Sequence, residues 1–289
     1  MNKVGIFLAS RWQGAEDVVA RLRAAVEAEV PDVWQTSSWN DAEATAKIEG
    51  TDLIVCLGGD GSMLWAARAV VPHAVPIFGV NMGRLGFLAE IGPEELMARL
   101  PAVLAGEGRV EERAMLQTQV PAWGQTFQGL NDTVVSRNRA GRPVYLDVSI
   151  DGDRLTIYRA DAVIVASATG STGYSLSAGG PILHPESRNL VLTPVAPHVT
   201  SARSLVLPSD SVVDLTIHAD DGATVSVDGQ VNRELRSGET VSVCRSAHLA
   251  RFLRLSEPTH YYRVLAERLD WLKSVDPDTL FGPEGGSPK

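Results

Sequence analysis

The stretch that decides the fold is Leu53-Ile54-Val55-Cys56-Leu57-Gly58-Gly59-Asp60-Gly61-Ser62. Its apolar run predicts a buried strand, which the paired glycines end. Ser62 can cap the helix that follows, because a hydroxyl there can accept a hydrogen bond from the first turn. In open α/β sheets, ligands bind where strands end in this way. The predicted helix has one apolar inner face, formed by Met63, Leu64, Ala67 and Val70.

The same alternation of strand and helix occupies the rest of the N-terminal region. Val4–Leu8 and Val75–Val80 are predicted to be further buried strands. Near-continuous apolar strands separated by helices predict a parallel sheet covered on both faces. We therefore expect a Rossmann-like α/β domain over residues 1–110. The helix after the first strand would bury Val18, Val19, Leu22, Val26 and Val30.

From residue 111 the pattern changes to short strands that follow one another. Turn signals such as Asp151-Gly152-Asp153 and Asp220-Asp221-Gly222 separate them. One helix is expected to begin near Ser171. We predict a β-rich second domain over residues 111–255. Its expected strands include Val144–Ile150, Arg154–Tyr158, Val212–Ile217, Thr224–Val227 and Thr240–Val243.

A last amphipathic helix is predicted within residues 256–275, and it needs a surface against which to bury its apolar face. We expect it to return to the first domain, because that domain begins and ends near the junction. The glycine- and proline-rich end of the chain predicts a disordered tail over residues 276–289. The apolar face of the helix consists of Tyr261, Tyr262, Leu265, Leu269 and Leu272.

Composition limits the classes of partner. The net charge is −9, whereas nucleic acids and anionic membranes select basic surfaces, so neither is expected. No apolar run reaches the roughly 18 residues that a membrane helix needs, and the N-terminus lacks the apolar core of a signal peptide. Cys56 and Cys244 each lie in an apolar run, which predicts buried thiols rather than a disulfide or metal pair. We expect a cytoplasmic protein.

A glycine turn that only joins a strand to a helix does not need an acidic side chain, yet this turn contains Asp60. Glycines let backbone N–H groups approach a phosphate, and a helix N-terminus adds partial positive charge. A carboxylate repels that phosphate, so we expect Asp60 to contact a hydroxyl or a metal ion. A carboxylate can accept the hydroxyl proton during phosphoryl transfer. The alternative is that Asp60 only caps the helix.

A second polar cluster follows the apolar strand Ala162–Ala166 and runs from Thr169 to Pro181. Its hydroxyls and glycines suit ribose and phosphate oxygens, and Tyr174 could stack on a base. A capped helix with a Gly-Gly-Pro end would explain single residues but not the density of the run. Between the two clusters, Asn131 offers donors and acceptors, and Asp132 can accept from ribose hydroxyls.

Other polar groups have ordinary structural explanations when taken alone. Arg159-Ala160-Asp161 could form a surface ion pair, and Val227-Asp228-Gly229-Gln230 would by itself be a hairpin turn. His184 and His198 show no metal-ligand spacing.

Together these segments resemble the bacterial NAD kinase family. The resemblance follows the chain in order and covers nearly all of it. The GGDG turn alone is a weak signal, since phosphofructokinases and diacylglycerol kinases are similar there, whereas the run from Thr169 is highly specific. The matching segments are Gly58–Gly61, Asn81–Leu88, Asn131-Asp132, Thr169–Pro181, Thr193–His198, Val227–Gln230 and the closing aromatic helix.

The resemblance implies phosphoryl transfer from ATP or polyphosphate to the 2′-hydroxyl of the adenosine ribose of NAD, with a divalent cation such as Mg²⁺. Asp60 would be the proton acceptor, and Gly61 would line the site. Asn131 and Asp132 would hold ribose or adenine-side groups. The family's other NAD contacts match Arg142, Arg159, Asp161, Thr169, Thr172, Gly173, Tyr174, Ser175, Leu176, Ser177 and Gln230.

The resemblance also implies a homo-oligomer, either a dimer or a tetramer. Three other functions remain as alternatives to an NAD kinase. A phosphofructokinase-like fold would continue as α/β, a lipid kinase would need an apolar or basic membrane-facing surface, and a non-catalytic nucleotide sensor would not need Asp60. The sequence does not fix the phosphoryl donor, the acceptance of NADH, the metal ligands or the oligomeric state.

Overall fold

The computed structural model describes residues 1–8, 16–37, 42–83, 86–139, 141–198, 202–219, 221–269 and 271. Leu272 and the predicted tail over residues 276–289 lie outside these ranges, as do Arg84 and Leu85 of the Asn81–Leu88 segment. The first region alternates strand and helix, as predicted. Its elements are β1 Lys3–Leu8, α1 Glu16–Glu27, β2 Asp32–Thr36, α2 Ala42–Ile48, β3 Leu53–Gly58, α3 Asp60–Ala69, β4 Ile77–Asn81 and α4 Pro93–Ala105.

The second region is built mostly of strands. Where one helix was expected near Ser171, the chain forms a 3-10 turn at Gly170–Thr172 and the short α5 at Tyr174–Ser177; α6 then spans His260–Arg268. A further 3-10 turn lies at Pro121–Trp123. The strands are β5 Arg109–Val120, β6 Gln125–Gly129, β7 Asp132–Arg137, β8 Val144–Ile150, β9 Asp153–Ala160, β10 Ala162–Ala166, β11 Leu190–Val195, β12 Leu205–Leu207, β13 Val212–His218, β14 Ala223–Val227, β15 Val231–Leu235 and β16 Thr240–Arg254.

Helix α3 begins earlier than the sequence predicted. Gly59 is its N-cap and Asp60 its first residue, so Ser62 lies inside the first turn, where it is buried. Because Gly59 has no side chain, the first N–H groups of α3 have no side-chain cap and can meet a ligand instead. The predicted inner face is correct, since these side chains are all buried: Met63, Leu64, Ala67 and Val70.

The predicted parallel sheet is present, and it continues into the second region. β2, β1, β3 and β4 lie side by side and pair in parallel. β16 joins the edge of β4 through Phe252 and Ile77. β13, β8 and β9 then extend the sheet, and β5 and β6 add to it through β16. In the described chain this large sheet has ten strands, and its continuity was not predicted.

A smaller sheet of six strands, in the order β12-β11-β10-β7-β14-β15, packs on the second half of the large sheet. Apolar side chains of both sheets form a shared core, with Val135 and Val165 from the small sheet and Leu146 and Leu215 from the large one. Alternate residues of β14 are buried, as expected of a strand with one face in a core. The sandwich therefore fixes where β7 begins and β10 ends.

Helix α6 is shorter than predicted and contacts both regions. Leu265 is buried, whereas Tyr262 is 60% exposed. The Arg268 guanidinium lies over the Phe87 ring at 5.9 Å, which is the expected return to the first region. Tyr261 also donates its hydroxyl to the Leu183 carbonyl in the second region. None of the helices in the described ranges is long and apolar enough to cross a membrane.

The two cysteines are both free thiols, as predicted. Cys56 is fully buried in β3. The prediction of a buried thiol is wrong for Cys244, in β16, which is only partly buried because it alternates with Val241 and Val243, the residues that face the core.

Candidate active site

Asp60 opens α3 at the carboxyl end of β3. Its Oδ2 accepts the Phe87 N–H at 2.9 Å, and its Oδ1 accepts the Leu88 N–H at 3.1 Å. Both donors belong to the segment after β4, so the carboxylate binds that segment rather than the turn of its own helix. Gly86 leaves the space in which the carboxylate lies. Because each carboxylate oxygen has two lone pairs, both can still accept a further hydrogen bond.

The start of β7 forms the opposite wall of the site and is held by Asp228. The Asp228 carboxylate accepts the N–H groups of Leu130, Asn131 and Asp132 at 2.8, 2.8 and 3.2 Å. Asp228 and Gly229 have φ of 52° and 67°, a left-handed conformation that lets the chain reverse within the three residues between the paired Val227 and Val231. The predicted turn is present, but sequence reasoning missed that its aspartate organises the Asn131-Asp132 segment.

Asp132 and Asp228 form a buried acidic pair. Burial, and secondly the charge of Asp228, raises the pKa of Asp132 to about 7. Burial also raises the pKa of Asp228, although three backbone N–H donors and Arg68 favour its charged form. Near neutral pH, Asp132 can therefore either donate or accept a hydrogen bond, and a ribose hydroxyl can match both states.

The polar cluster from Thr169 to Pro181 passes directly over Asn131. A Cβ built on Gly170 would lie 2.0 Å from the Asn131 carbonyl oxygen, so the two backbones touch. The Asn131 carbonyl also accepts the Ser167 N–H at 2.9 Å. The cluster and the start of β7 therefore form one continuous surface.

Side chains of this cluster differ in what they offer to a ligand. Ser175 is fully buried, and its hydroxyl pairs with that of Thr193 at 2.9 Å. The Thr172 hydroxyl donates to the Thr169 carbonyl at 3.0 Å, which supports the turn. Tyr174 is 47% exposed. Its ring is available for stacking. Gly173 and Leu176 are partly buried, and Ser177 is exposed.

Gln230 joins this wall to the Asp60 turn. Its side-chain Nε2 donates to the Gly61 carbonyl at 2.9 Å. Its Oε1 is buried and has no partner among the described residues. Because Gln230 follows the Asp228 turn, one hairpin contacts both motifs. The site therefore lies between the end of β3 and the β14–β15 hairpin.

A buried charge cluster lies beneath the site, and the sequence analysis did not identify it. Glu111, Arg113 and Arg254 are 4%, 3% and 5% exposed. Glu111 pairs with Arg113 at 2.7 Å and with Arg254 at 2.9 Å. Burial would raise the pKa of Glu111, but the two guanidinium groups outweigh it and lower the pKa to about 2. Glu111 is therefore ionised at neutral pH.

Three of the predicted NAD contacts lie at the other end of the small sheet. Ala166 pairs with Asp132 at the site end, and Ala162 pairs with Ser136 at the far end. Asp161 precedes Ala162. Strands rise about 3.3 Å per residue, so Asp161 is roughly 16 Å along the sheet from the start of β7.

The far end of the small sheet carries an arginine cluster around an open cavity. Asp161 pairs with Arg137 at 2.8 Å, not with Arg159 as the sequence suggested. Arg142 pairs with Asp221 at 3.1 Å. Arg159 and Arg142 both line the cavity, and the surrounding side chains leave it rich in positive charge.

Within the described ranges, no group of three or more His, Cys, Asp or Glu side chains is placed to hold a metal ion. His184 packs its ring against Tyr261 at 5.4 Å and Tyr262 at 6.0 Å. His184 therefore packs against the aromatic side chains of α6.

Two family models match the chain. Residues 5–108 match the ATP-NAD kinase N-terminal domain, and residues 130–255 match the ATP-NAD kinase C-terminal domain. An NAD kinase of Dehalococcoides mccartyi strain CBDB1 is 39% identical over 272 residues, 93% of this chain and 96% of that protein. An NAD kinase of Chloroflexus aurantiacus strain J-10-fl is 43% identical over 221 residues, 75% of this chain and 80% of that protein.

Two solved structures share the fold. An NAD kinase from Archaeoglobus fulgidus in complex with ATP has a TM-score of 0.75 and 26% identity, covering 96% of this chain and all of that one. A yeast NADH kinase complexed with NADH has a TM-score of 0.84 and 24% identity, covering 96% of this chain and 90% of that one.

Proposed function

The chain belongs to the NAD kinase family of phosphotransferases, and we propose that it transfers the terminal phosphoryl group of ATP to the 2′-hydroxyl of the adenosine ribose of NAD. The observation that carries the proposal is the Asp60 carboxylate, fixed at the first turn of α3 by the Phe87 and Leu88 N–H groups. It lies next to uncapped helix N–H groups that favour a phosphate.

Asp60 acts on the acceptor hydroxyl. A ribose hydroxyl must lose its proton as the new bond to phosphorus forms, and a carboxylate within hydrogen-bond reach can accept it. Two backbone donors fix the orientation of the Asp60 carboxylate but leave lone pairs free on both oxygens. The group is thus oriented before the substrate arrives, which lowers the cost of reaching the reactive geometry.

The donor phosphates bind at the N-terminus of α3. The dipole and free N–H groups of a helix end favour negative charge, and the Gly59 N-cap lets a phosphate approach the backbone closely. The carboxylate of Asp60 would repel that phosphate unless a hydroxyl or a cation lies between them. This arrangement suits a site where phosphate and ribose meet.

A magnesium ion fits this donor set. Mg²⁺ keeps several waters and is usually bound by one or two carboxylates together with substrate phosphates, and Asp60 is the carboxylate at the turn. When bound, the ion neutralises charge on the transferred phosphoryl group. The ATP phosphates and water would hold the ion beside Asp60, whose carboxylate stays available to accept the hydroxyl proton.

NAD lies along the second wall. Asn131 and Asp132 are held by Asp228 at the start of β7 and offer hydrogen bonds to ribose or adenine-side groups. Tyr174 provides an exposed ring for stacking. Gln230 connects this wall to Gly61, so a nucleotide on the wall would present its ribose to Asp60.

The arginine cluster serves a neighbouring subunit. Asp161 lies roughly 16 Å along the small sheet from the start of β7, and Arg142 and Arg159 line the cavity at that far end, so we expect none of the three to reach Asp60 of its own chain. In a homodimer or homotetramer they would contact NAD bound to another copy. The cluster concentrates positive charge on a chain whose net charge is −9, which suits a dinucleotide's phosphates.

An activity assay tests the proposed function. The purified protein is incubated with NAD, ATP and magnesium chloride in a buffer of cytoplasmic pH and ionic strength. An NADP-specific dehydrogenase then reports the product. Parallel reactions replace ATP with polyphosphate, which identifies the donor. Others replace NAD with NADH, and an NADPH-specific reductase then reports the NADPH that forms, which identifies the acceptor. We expect NADP to form with ATP and NAD. If NADP forms with neither ATP nor polyphosphate, the proposed activity is contradicted.

A further inference from the structure

The peptide group between Phe87 and Leu88 is hydrogen-bonded at both ends. Its N–H, from Leu88, donates to Asp60 Oδ1 at 3.1 Å. Its carbonyl, from Phe87, accepts from Arg113 Nη2 at 3.5 Å. One peptide unit therefore connects the Arg113 guanidinium to the Asp60 carboxylate. Hydrogen bonds in such a chain polarise and strengthen one another in a buried environment.

The next carbonyl is held in the same way. Arg254 Nη1 donates to the Leu88 carbonyl at 2.8 Å, and Arg254 is paired with Glu111 at 2.9 Å. Glu111 in turn accepts from Arg113 Nε at 2.7 Å. The two guanidinium groups and the carboxylate thus form a buried clamp on the two residues whose N–H groups hold Asp60.

Arg113 also contacts the second polar cluster. Its Nη1 donates to the Thr169 hydroxyl at 3.4 Å. The guanidinium is planar, and the directions of its donors are fixed. Its two Nη atoms therefore set the separation between the Phe87 carbonyl and Thr169. Arg113 is the side chain that joins the segment holding Asp60 to the first residue of the cluster.

Stability alone does not account for this arginine. Burying a guanidinium carries a large desolvation cost, and buried ion pairs can often be replaced by apolar residues without loss of stability. Glu111 would keep Arg254 at 2.9 Å and Arg109 at 3.3 Å if Arg113 were removed. A contribution to the geometry of the site explains the choice of residue.

We propose that Arg113 is a positioning residue for phosphoryl transfer, which orients the Asp60 carboxylate through the Phe87-Leu88 peptide and fixes its distance from Thr169. This inference rests on the proposed role of Asp60. Arg113 is only 3% exposed, and its guanidinium donates to groups of the protein itself, so we expect its loss to leave NAD affinity nearly unchanged. Misplacement of a reacting group by about 1 Å can cost about 100-fold in rate, so we expect kcat to fall between about 10- and 100-fold.

A double-mutant cycle tests the inference. Arg113→Met, Asp60→Asn and the combined variant are compared by kcat, by NAD affinity from calorimetry, and by thermal melting. If Arg113 acts through Asp60, Arg113→Met lowers kcat in the wild-type background but changes the residual rate of Asp60→Asn less than about threefold. Equal losses in both backgrounds would overturn the proposal, because a general loss of structure acts irrespective of Asp60.

Arg251→Met is the matched control. Arg251 lies on β16 beside the Arg113–Ala250 pair, and it makes a half-exposed ion pair with Glu112 at 3.2 Å. Its removal should leave kcat unchanged. If Arg113→Met does not fold, Arg113→Lys keeps the charge beside Glu111 but cannot hold both the Phe87 carbonyl and Thr169. It should show the same coupling to Asp60.

The outcomes separate this inference from the proposed function. Full activity of Asp60→Asn would contradict the proposed role of Asp60, whatever Arg113 does. An impaired Asp60→Asn variant combined with additive losses would retain that role and reject the positioning role of Arg113. Failure of both Arg113 variants to fold would also reject it, because Arg113 would then be required for the fold.

Discussion

The carboxylate of Asp60 occupies the space that a side chain on Gly86 would need. A Cβ built on Gly86 would lie 1.8 Å from Asp60 Oδ1 and 2.5 Å from Oδ2, inside the 3.0 Å that real Cβ atoms keep. The backbone of Gly86 itself is in a conformation open to other residues, since its φ is outside the left-handed range. The requirement for glycine therefore comes from Asp60.

We predict that Gly86→Ala displaces the Asp60 carboxylate and lowers kcat by about 10²–10⁴-fold, the usual contribution of a general base. The melting temperature should change little, because the clash is with the end of a side chain. Gly92→Ala is the control, since its Cβ would meet only the exposed side chain of Glu94. Wild-type kcat in Gly86→Ala would show that the carboxylate does not work from this position.

Asn131→Ala should weaken NAD binding. Loss of a hydrogen bond to a neutral group costs about 0.5–1.5 kcal/mol, so the dissociation constant should rise by about 2- to 13-fold. Calorimetric titration of NAD into both proteins measures it, with the exposed Asn232→Ala as control. Equal affinity for Asn131→Ala and wild type would remove this side chain from the site.

Asp132 should make stability depend on pH. Its pKa of about 7 in the folded protein exceeds the ordinary aspartate value of 3.8, so the folded state binds the proton more tightly than the unfolded chain. The free energy of unfolding therefore falls as pH rises from about 4 to 7, by up to about 1.4 kcal/mol for each pH unit. Asp132→Asn cannot ionise and should lose this contribution.

Urea denaturation at pH 5, 6, 7 and 8 measures the effect. The stability of Asp132→Asn relative to wild type should increase with pH up to about 7 and then level off. Subtracting the two curves removes other titrating groups that the proteins share. Parallel curves across this range would contradict the burial of an acidic Asp132.

A shared active site predicts complementation between subunits. Asp60→Asn and the double variant Arg142→Ala/Arg159→Ala should each have low activity alone. When the two chains are co-expressed with different tags, a mixed oligomer would contain sites that combine an intact Asp60 with an intact arginine cluster. Activity should therefore recover. Light scattering should give a mass above that of the 31.0 kDa monomer.

Mixed oligomers without recovered activity would contradict the sharing of the site. A solution containing only monomer would contradict both the sharing and the assembly.

The sequence predicted the layers of the fold well because the relevant signals are local. Continuous apolar runs such as Leu53–Leu57 predicted the buried strands, and the shift to short strands after residue 111 indicated a β-rich second region. The joining of the two regions into the large sheet was missed. It depends on Phe252 of β16 meeting Ile77 of β4, a long-range pairing that leaves no periodic pattern in either segment.

The site was only partly predictable for the same reason. An aspartate in a glycine turn was unusual enough to single out Asp60, whereas Asp228 lies in an Asp-Gly pair, the ordinary signal of a hairpin turn. Glu111 and Arg113 were missed because charges in a strand usually mark its exposed face. Their burial depends on Arg254, far along the chain, and on the fold that brings it there.

The most direct test of the account is steady-state kinetics of Asp60→Asn across a magnesium titration, with NAD binding measured separately. Asparagine keeps the size and planar shape of the side chain but cannot accept the proton, and its single oxygen can accept only one of the Phe87 and Leu88 N–H groups. The account predicts that kcat falls by about 10²–10⁴-fold at every magnesium concentration while NAD affinity is nearly unchanged. Partial rescue by raised magnesium, with a higher KM for ATP, would assign Asp60 to the metal ion instead. Near-wild-type turnover at ordinary magnesium would contradict the central claim that Asp60 carries the chemistry.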